Sequence, residues 1–99
     1  MIEIQLPSEI QVPSAITPAT NDINSVFKPR FDFAPEEYRL IVLDRGGRKM
    51  FETTDPGEGW SGRFNGENAN EGVYVYFIQY TDYSGHFRTR TGNLTLLYP

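Results

Sequence analysis

Tyr-Arg-Leu-Ile-Val-Leu-Asp at residues 38–44 and Val-Tyr-Val-Tyr-Phe-Ile-Gln-Tyr-Thr at residues 73–81 are the two stretches that decide the fold. Both consist mainly of aliphatic, β-branched and aromatic residues, which are typical of β-strands. Alternate side chains of a strand face opposite sides of the sheet, and both sets of positions are apolar in the second stretch. The sequence therefore predicts that residues 73–81 form a central strand.

Turn residues separate these stretches from further predicted strands. Gly46-Gly47 tolerates positive φ, so we expect a hairpin in which Lys49–Thr53 returns beside the first stretch. The other predicted turns are Asp55-Pro56-Gly57, Asn65-Gly66 and Tyr83-Ser84-Gly85. The other predicted strands are Ile10–Ile16, Trp60–Phe64, His86–Thr91 and Asn93–Tyr98.

Proline and glycine add detail to the outer strands. Pro13 has no N–H to donate, so the first strand is predicted at a sheet edge. Gly92 is predicted to form a bend or bulge between the last two strands. Residues 17–37 are rich in proline, asparagine, aspartate and serine, and predict an ordered loop that Val26 and Phe27 attach to the core.

The spacing of these elements indicates the fold class. No segment shows helical periodicity, and short strands with turns about every 8–12 residues are typical of β-sandwiches. A chain of 99 residues is long enough for one domain with one core. The sequence therefore predicts an all-β fold, namely an immunoglobulin-like antiparallel β-sandwich of about seven strands that spans residues 1–99.

Composition excludes several classes of function. The chain has no cysteine, which excludes disulfide scaffolds and thiolate metal sites. A net charge of −4 argues against binding nucleic acid through its phosphates. No apolar run is long enough to span a membrane, and no signal peptide opens the chain. If the domain is exported, we expect its leader to lie upstream in a longer parent protein.

Three blocks of sequence, taken in their order and spacing, resemble a known family. They are Val-Pro-Ser-Ala-Ile-Thr-Pro at residues 12–18 with Asp-Ile-Asn-Ser-Val-Phe at 22–27, residues 38–62 ending in Gly-Trp-Ser-Gly, and Gly-Val-Tyr-Val-Tyr at 72–76 with Gly-Asn-Leu-Thr-Leu-Leu at 92–97. Together they are similar to the gliding motility-associated C-terminal domain over roughly residues 10–98. That family comprises the type B sorting domains of the type IX secretion system in Bacteroidota-type bacteria.

The resemblance implies a function and a partner. It implies a non-catalytic C-terminal sorting or anchoring domain, without a cofactor, that directs a larger exported protein to the cell surface or the medium. The implied partner is the outer-membrane secretion machinery, without insertion into the membrane. We expect this partner to be recognised by residues in the family's turn, its glycine–tryptophan motif and its terminal strand. These residues are Arg45, Gly46, Gly47, Trp60, Leu94, Leu96, Leu97 and Tyr98.

The sequence departs from the family pattern at several places. Ala19-Thr20-Asn21-Asp22 stands where the family has Asn-Gly-Asp-Gly. Gly46 stands where the family has tryptophan, and Ser61 stands where it has aspartate. We expect the fold to tolerate these changes, so they bear on recognition of the sorting signal.

Strand addition is one physical route to such recognition. An edge strand has unpaired N–H and C=O groups, with which another strand can form hydrogen bonds. The outermost predicted strands, Ile10–Ile16 and Asn93–Tyr98, are the candidate edges.

Catalysis has one candidate motif, which fails. Ser61 in Gly-Trp-Ser-Gly resembles a nucleophile elbow, but Arg63 stands where the second glycine belongs. A catalytic triad would also require His86, the one histidine, beside a carboxylate. His86 lies in a polar strand, so a solvent-facing position is favoured and no catalytic residue is predicted.

The loop before the second stretch contains weak candidates for a metal site. Asn21, Asp22 and Asn24, with Asp32 further along, could offer oxygen ligands to calcium. Their spacing matches no EF-hand loop. The same side chains commonly bond the nearby backbone in turns, and this interpretation is favoured.

Two other functions stay open. Trp60, Tyr74, Tyr76 and Tyr80 would form a platform for glycans if their face of the sheet were exposed, which would make the domain a carbohydrate-binding or adhesive module. If a second sheet covers that face, the four rings are core. The domain could also be a structural immunoglobulin-like spacer, because a fold alone does not define a function.

Overall fold

The computed structural model describes residues 10–18 and 25–98. Within these residues the fold is all-β, which confirms the predicted class, and no helix there is long and apolar enough to cross a membrane. The described residues contain nine strands: β1 (Ile10–Gln11), β2 (Ala15–Ile16), β3 (Arg30–Phe31), β4 (Tyr38–Leu43), β5 (Lys49–Thr53), β6 (Arg63–Phe64), β7 (Glu67–Asn68), β8 (Gly72–Thr81) and β9 (Phe87–Leu96).

Five strands form the main sheet, in the order β2-β9-β8-β4-β5. β8 lies in the middle and pairs antiparallel with β4 on one side and with β9 on the other. β4 continues into β5 through the Gly46-Gly47 turn, which is closed by a hydrogen bond of 2.8 Å from Asp44 N to Arg48 O. The predicted central strand and the predicted hairpin are both confirmed.

A second layer of short strands covers one face of this sheet. β1 pairs with β3, and β6 pairs with β7 through the Asn65-Gly66 turn. Rings of this layer contact rings of the main sheet, as in the pair Phe31 and Tyr80, whose centroids are 5.3 Å apart. This arrangement confirms the predicted sandwich. The largest fully buried side chains between the layers are Trp60, Phe27, Ile16, Leu40, Ile78, Leu94, Leu96 and Val42.

The predicted strand Ile10–Ile16 is wrong as a continuous element. β1 belongs to the second layer, whereas β2 pairs parallel with the end of β9. Pro13 lies in the break, where its missing N–H removes a donor from any continued ladder. The chain therefore passes from one layer to the other at residues 12–14.

The predicted division of the last strand is also wrong. His86–Thr91 and Asn93–Tyr98 are not separate strands, because β9 runs from Phe87 to Leu96 in continuous register with β8. Gly92 lies within that register, directly opposite Tyr76, and forms no bulge.

Two smaller elements also differ from the predictions. The predicted strand Trp60–Phe64 is limited to Arg63–Phe64, and Trp60 forms an isolated bridge instead. The predicted loop over residues 17–37 contains β3. Phe27 is fully buried, as predicted for a residue that attaches this segment to the core.

Candidate recognition site at one end of the domain

The three sequence blocks meet around Trp60. The backbone of Trp60 exchanges two hydrogen bonds with Phe27, at 2.7 and 2.9 Å. Its indole ring lies 5.1 Å from the ring of Tyr74, and its Nε1 donates to the carbonyl of Arg63 at 2.9 Å. The contacts with Phe27 and Tyr74 join residues from different blocks of the chain, so Trp60 links the two layers.

Glycines on both sides of Trp60 allow this close packing. A Cβ on Gly59 would overlap the side chain of Val26. A Cβ on Gly62 would lie 2.9 Å from Pro18 and 3.1 Å from Leu96. The Gly-Trp-Ser-Gly motif is therefore explained by packing.

Burial changes the interpretation of three predicted recognition residues. Trp60 is 1% exposed, and Leu94 and Leu96 are 0% exposed, so a partner that meets the folded domain cannot touch their side chains directly. They are better described as residues that support the surface from beneath.

The proposed glycan platform is buried as well. Tyr74, Tyr76 and Tyr80 face the second layer, are at most 8% exposed, and lie in the same core as Trp60. Stacking on a sugar requires an open ring face. The alternative of a sugar-binding surface built from these four rings is therefore wrong.

An open groove of about 530 Å³ lies at this end of the domain, between the Asp44–Arg48 turn and residues 67–74. Asp44 organises the turn, because its Oδ1 accepts hydrogen bonds from Gly46 N at 2.9 Å and from Arg48 N at 2.8 Å. The guanidinium carbon of Arg48 lies 5.5 Å from the centre of the Phe64 ring. These contacts hold the β4–β5 turn against the β6–β7 hairpin.

The segment after β9 is bound to the opposite wall of this groove. The Oε2 atom of Glu71 accepts a hydrogen bond from Tyr98 N at 2.7 Å, and Tyr98 Oη donates to the carbonyl of Ala69 at 2.6 Å. Burial raises the pKa of the Tyr98 hydroxyl, and the Glu71 carboxylate adds to this effect. Leu97 has its N–H bonded to Ile16 O at 3.0 Å, while its side chain is 47% exposed.

The structure therefore brings some of the predicted recognition residues together. Arg45 and Gly46 line the groove together with Glu71, whose carboxylate holds Tyr98. Arg45, Gly46, Gly47 and Leu97 are exposed at the same end. We call the residues Arg45, Gly46, Gly47, Glu71, Leu97 and Tyr98 the end surface. Glu71 was not predicted, because only its contact with Tyr98 identifies it.

The candidate catalytic pair is far apart. Ser61 adjoins Gly62, which packs against Leu96 beside the first residue of β8, whereas His86 lies across the turn from Asp82, beyond the last residue of β8. Ten residues of strand separate these positions, which corresponds to about 30 Å. The imidazole of His86 is exposed, and its Nδ1 lies 3.9 Å from Asp82.

Asp82 is a structural residue that the sequence reasoning missed. Its side chain is 2% exposed, and it accepts hydrogen bonds from Ser84 N, His86 N and Arg88 Nε, at 2.9, 2.9 and 2.8 Å. The hydrogen bond from Arg88 contributes most to lowering the pKa of Asp82, followed by the backbone N–H of His86. An aspartate directly before Tyr-Ser-Gly is a turn signal that could have identified it.

The candidate metal ligands Asn21, Asp22 and Asn24 lie outside the described residues. Asp32 is exposed. Over residues 10–18 and 25–98, no three histidine, cysteine, aspartate or glutamate side chains are grouped so that they could hold a metal ion.

These features define a small β-sandwich whose motifs serve its packing and whose exposed turn adjoins the segment after the last strand. The family model described as CHU_C Type IX secretion signal domain matches residues 10–96. The chain belongs to this family, which confirms the resemblance found in the sequence. Membership implies, in general terms, contact with the secretion machinery and export of the protein that carries the domain.

A solved structure shows the same fold. The chain is similar to CopC from Methylosinus trichosporium OB3b, with a TM-score of 0.58, 16% sequence identity, and coverage of 91% of this chain and 90% of that one. At this identity the likeness concerns the fold alone. No curated protein matches the chain.

Proposed function

We propose that this chain is a non-catalytic sorting domain that directs a larger parent protein through the type IX secretion system to the cell surface or the medium. The observation that carries the proposal is the match of residues 10–96 to the type IX secretion signal domain family. In this proposal the whole chain is one domain, forms the C-terminal part of its parent, and binds the outer-membrane secretion machinery.

The end surface supplies the contact with that machinery. Its turn is held by the Asp44 carboxylate, and its C-terminal segment is held by Glu71 and Ala69. Groups that are already ordered lose less conformational entropy when they bind. The exposed side chains of Arg45 and Leu97 then offer one charged and one apolar contact.

The absence of catalysis in this proposal is supported by the positions of Ser61 and His86. General-base activation of a serine requires a hydrogen bond to the imidazole, which these two residues cannot form from opposite ends of β8. We therefore assign no reaction to the domain.

The proposal is tested by export of a reporter. Residues 1–99 are fused behind a fluorescent protein that carries a signal peptide, and the fusion is expressed in a gliding bacterium with a type IX system. We expect fluorescence at the cell surface or in the medium, and retention in the periplasm of a strain that lacks the outer-membrane translocon. Retention in the periplasm of both strains would contradict the proposal.

A further inference from the structure

The main sheet has an open edge along the first part of β9. β2 pairs with β9 only at Thr95 and Leu96, so no strand of the described chain pairs with residues 87–93 on the side away from β8. The two strands predicted as edges, Ile10–Ile16 and Asn93–Tyr98, pair with each other at this point, which leaves β2 as the outermost strand. A further stretch of open edge lies earlier in β9 than the sequence indicated.

Two hydrogen bonds identify the backbone groups that point toward this edge. The N–H of Thr95 donates to the carbonyl of Ser14 at 2.9 Å. The N–H of Leu97 donates to the carbonyl of Ile16 at 3.0 Å. Odd-numbered residues of this strand therefore direct their backbone groups away from β8, because the direction alternates along a strand.

The hydrogen bonding at the other end of β9 shows the same alternation of backbone direction. Asp82 N donates to His86 O at 2.8 Å, so the even-numbered residues bond to β8. By alternation, the N–H and C=O groups of Thr89, Thr91 and Asn93 point into the open edge. They continue the row of outward backbone groups that form hydrogen bonds with the β2 segment further along the strand.

The side chains of this edge indicate the chemistry of its partner. Arg88 and Arg90 lie on one face of β9; Arg88 is bound to Asp82 at 2.8 Å, whereas exposed Arg90 forms no ion pair with a described residue. On the opposite face lie Phe87, which is 59% exposed, and Thr91. The side chains of a strand added here would alternate between the two faces. One set would lie beside Arg90, and the other would lie beside Phe87 and Thr91.

A second copy of this chain fits the edge less well. Antiparallel pairing of two β9 edges would bring their arginine side chains together on one face, and like charges opposite or diagonal to each other are unfavourable. Charge on an edge strand commonly prevents such self-association.

We propose that residues 87–93 of β9 bind an extended segment of another protein by strand addition, and that this segment alternates acidic side chains beside Arg90 with apolar side chains beside Phe87 and Thr91. This docking site is separate from the end surface and does not depend on the sorting function.

The test uses a synthetic peptide that alternates glutamate and valine and is long enough to cover residues 87–93. A peptide that alternates lysine and valine is its counterpart. We expect the glutamate peptide to bind the full chain more tightly and to slow amide hydrogen exchange at Thr89, Thr91 and Asn93. Amides of the intervening residues already bond to β8 and should change little. High salt should weaken binding.

Substitutions sharpen this test. Arg90→Glu should reverse the preference, so that the lysine peptide binds more tightly. Thr91→Pro removes one outward N–H and should weaken binding by about fivefold, whereas Thr91→Val keeps that N–H and should bind like the wild type. Circular dichroism establishes that each variant is folded.

Three results would overturn the proposal. The first is equal affinity of the Arg90→Glu chain for both peptides. The second is exchange protection on β5, the opposite edge strand, instead of β9. The third is dimerisation of the wild-type chain without peptide that Thr91→Pro abolishes, which would identify a second copy as the occupant.

Discussion

The hydroxyl of Tyr76 lies where a side chain on Gly92 would begin. A Cβ built on Gly92 would be 2.5 Å from Tyr76 Oη and 2.7 Å from Cζ. The two residues are direct partners across β8 and β9, and the same ring lies 5.3 Å from Phe27 in the second layer. The tyrosine therefore fills the space left by the glycine and joins both layers at the middle of β9.

Gly92→Ala should destabilise the domain. Alanine usually suits a strand better than glycine, but here its methyl group overlaps a buried ring, and overpacking costs about 1–3 kcal/mol. Urea unfolding measures the loss. In a Tyr76→Leu chain the same substitution should cost less, and an equal cost in both chains would show that the ring is not the cause.

Gly62→Ala and Gly66→Ala form a matched pair. Both glycines have positive φ, +80° and +82°, so each substitution carries backbone strain of about 1–2 kcal/mol. A Cβ at Gly66 meets open space, whereas one at Gly62 would lie 2.9 Å from Pro18. We expect Gly62→Ala to lower the free energy of unfolding clearly more than Gly66→Ala does. Similar losses would contradict the close packing of residues 59–62.

Asp82→Asn should lower the stability of the β8–β9 hairpin. It should also make the free energy of unfolding depend less on pH in the acidic range. Hydrogen bonds from Arg88 and from two backbone amides lower the pKa of Asp82 in the folded state. An aspartate in the unfolded chain titrates near pH 4, at about 3.9. The stabilisation is therefore complete above that pH and is lost as pH falls through the lower pKa of the folded state. Unfolding free energies measured from pH 6 to pH 2 should fall less steeply in the variant.

Glu52→Gln is the control for Asp82. Glu52 also has a lowered pKa, chiefly through its hydrogen bond to Lys49, but it lies on the surface. Surface ion pairs are weak and are screened by salt. Salt should therefore reduce the effect of Glu52→Gln and leave that of Asp82→Asn largely unchanged. Equal salt sensitivity would argue that Asp82 acts only as a surface charge.

Leu97→Asp and Trp60→Ala should both reduce export of the reporter fusion, for different reasons. Leu97 is 47% exposed, so its substitution should leave the melting temperature nearly unchanged while it weakens contact with the machinery. Trp60 is 1% exposed, and its truncation should cost about 3–5 kcal/mol of stability. Normal export of a folded Leu97→Asp chain would show that the Leu97 side chain does not take part in recognition.

Strong local patterns were sufficient to predict the middle of the fold. β4, β5 and β8 have strand-forming residues with clear turns between them, and the structure has them within one residue of the predicted bounds. The family resemblance added the functional class of the protein, which the strand and turn patterns by themselves did not indicate.

The errors occur where a structure depends on residues distant in sequence. The glycine at position 92 signalled a bulge by itself, but the ring of Tyr76 keeps it in register. The recognition residues show the same limit. Trp60 and Leu97 both belong to family motifs, and nothing in the sequence distinguishes their burial. Only the packing of the second layer buries Trp60 and leaves Leu97 exposed.

The pairing of Ala15 with Thr95 has a consequence for the order of events in the cell. A ribosome delivers β2 early and β9 after the other described strands, and the central strand β8 lacks one neighbour until β9 has emerged. Contacts between such remote parts of a chain form slowly, because a long loop must close first. The complete native sheet cannot form before synthesis has passed Leu96, so we expect a chain that ends before β9 to fold incompletely and to be open to proteases.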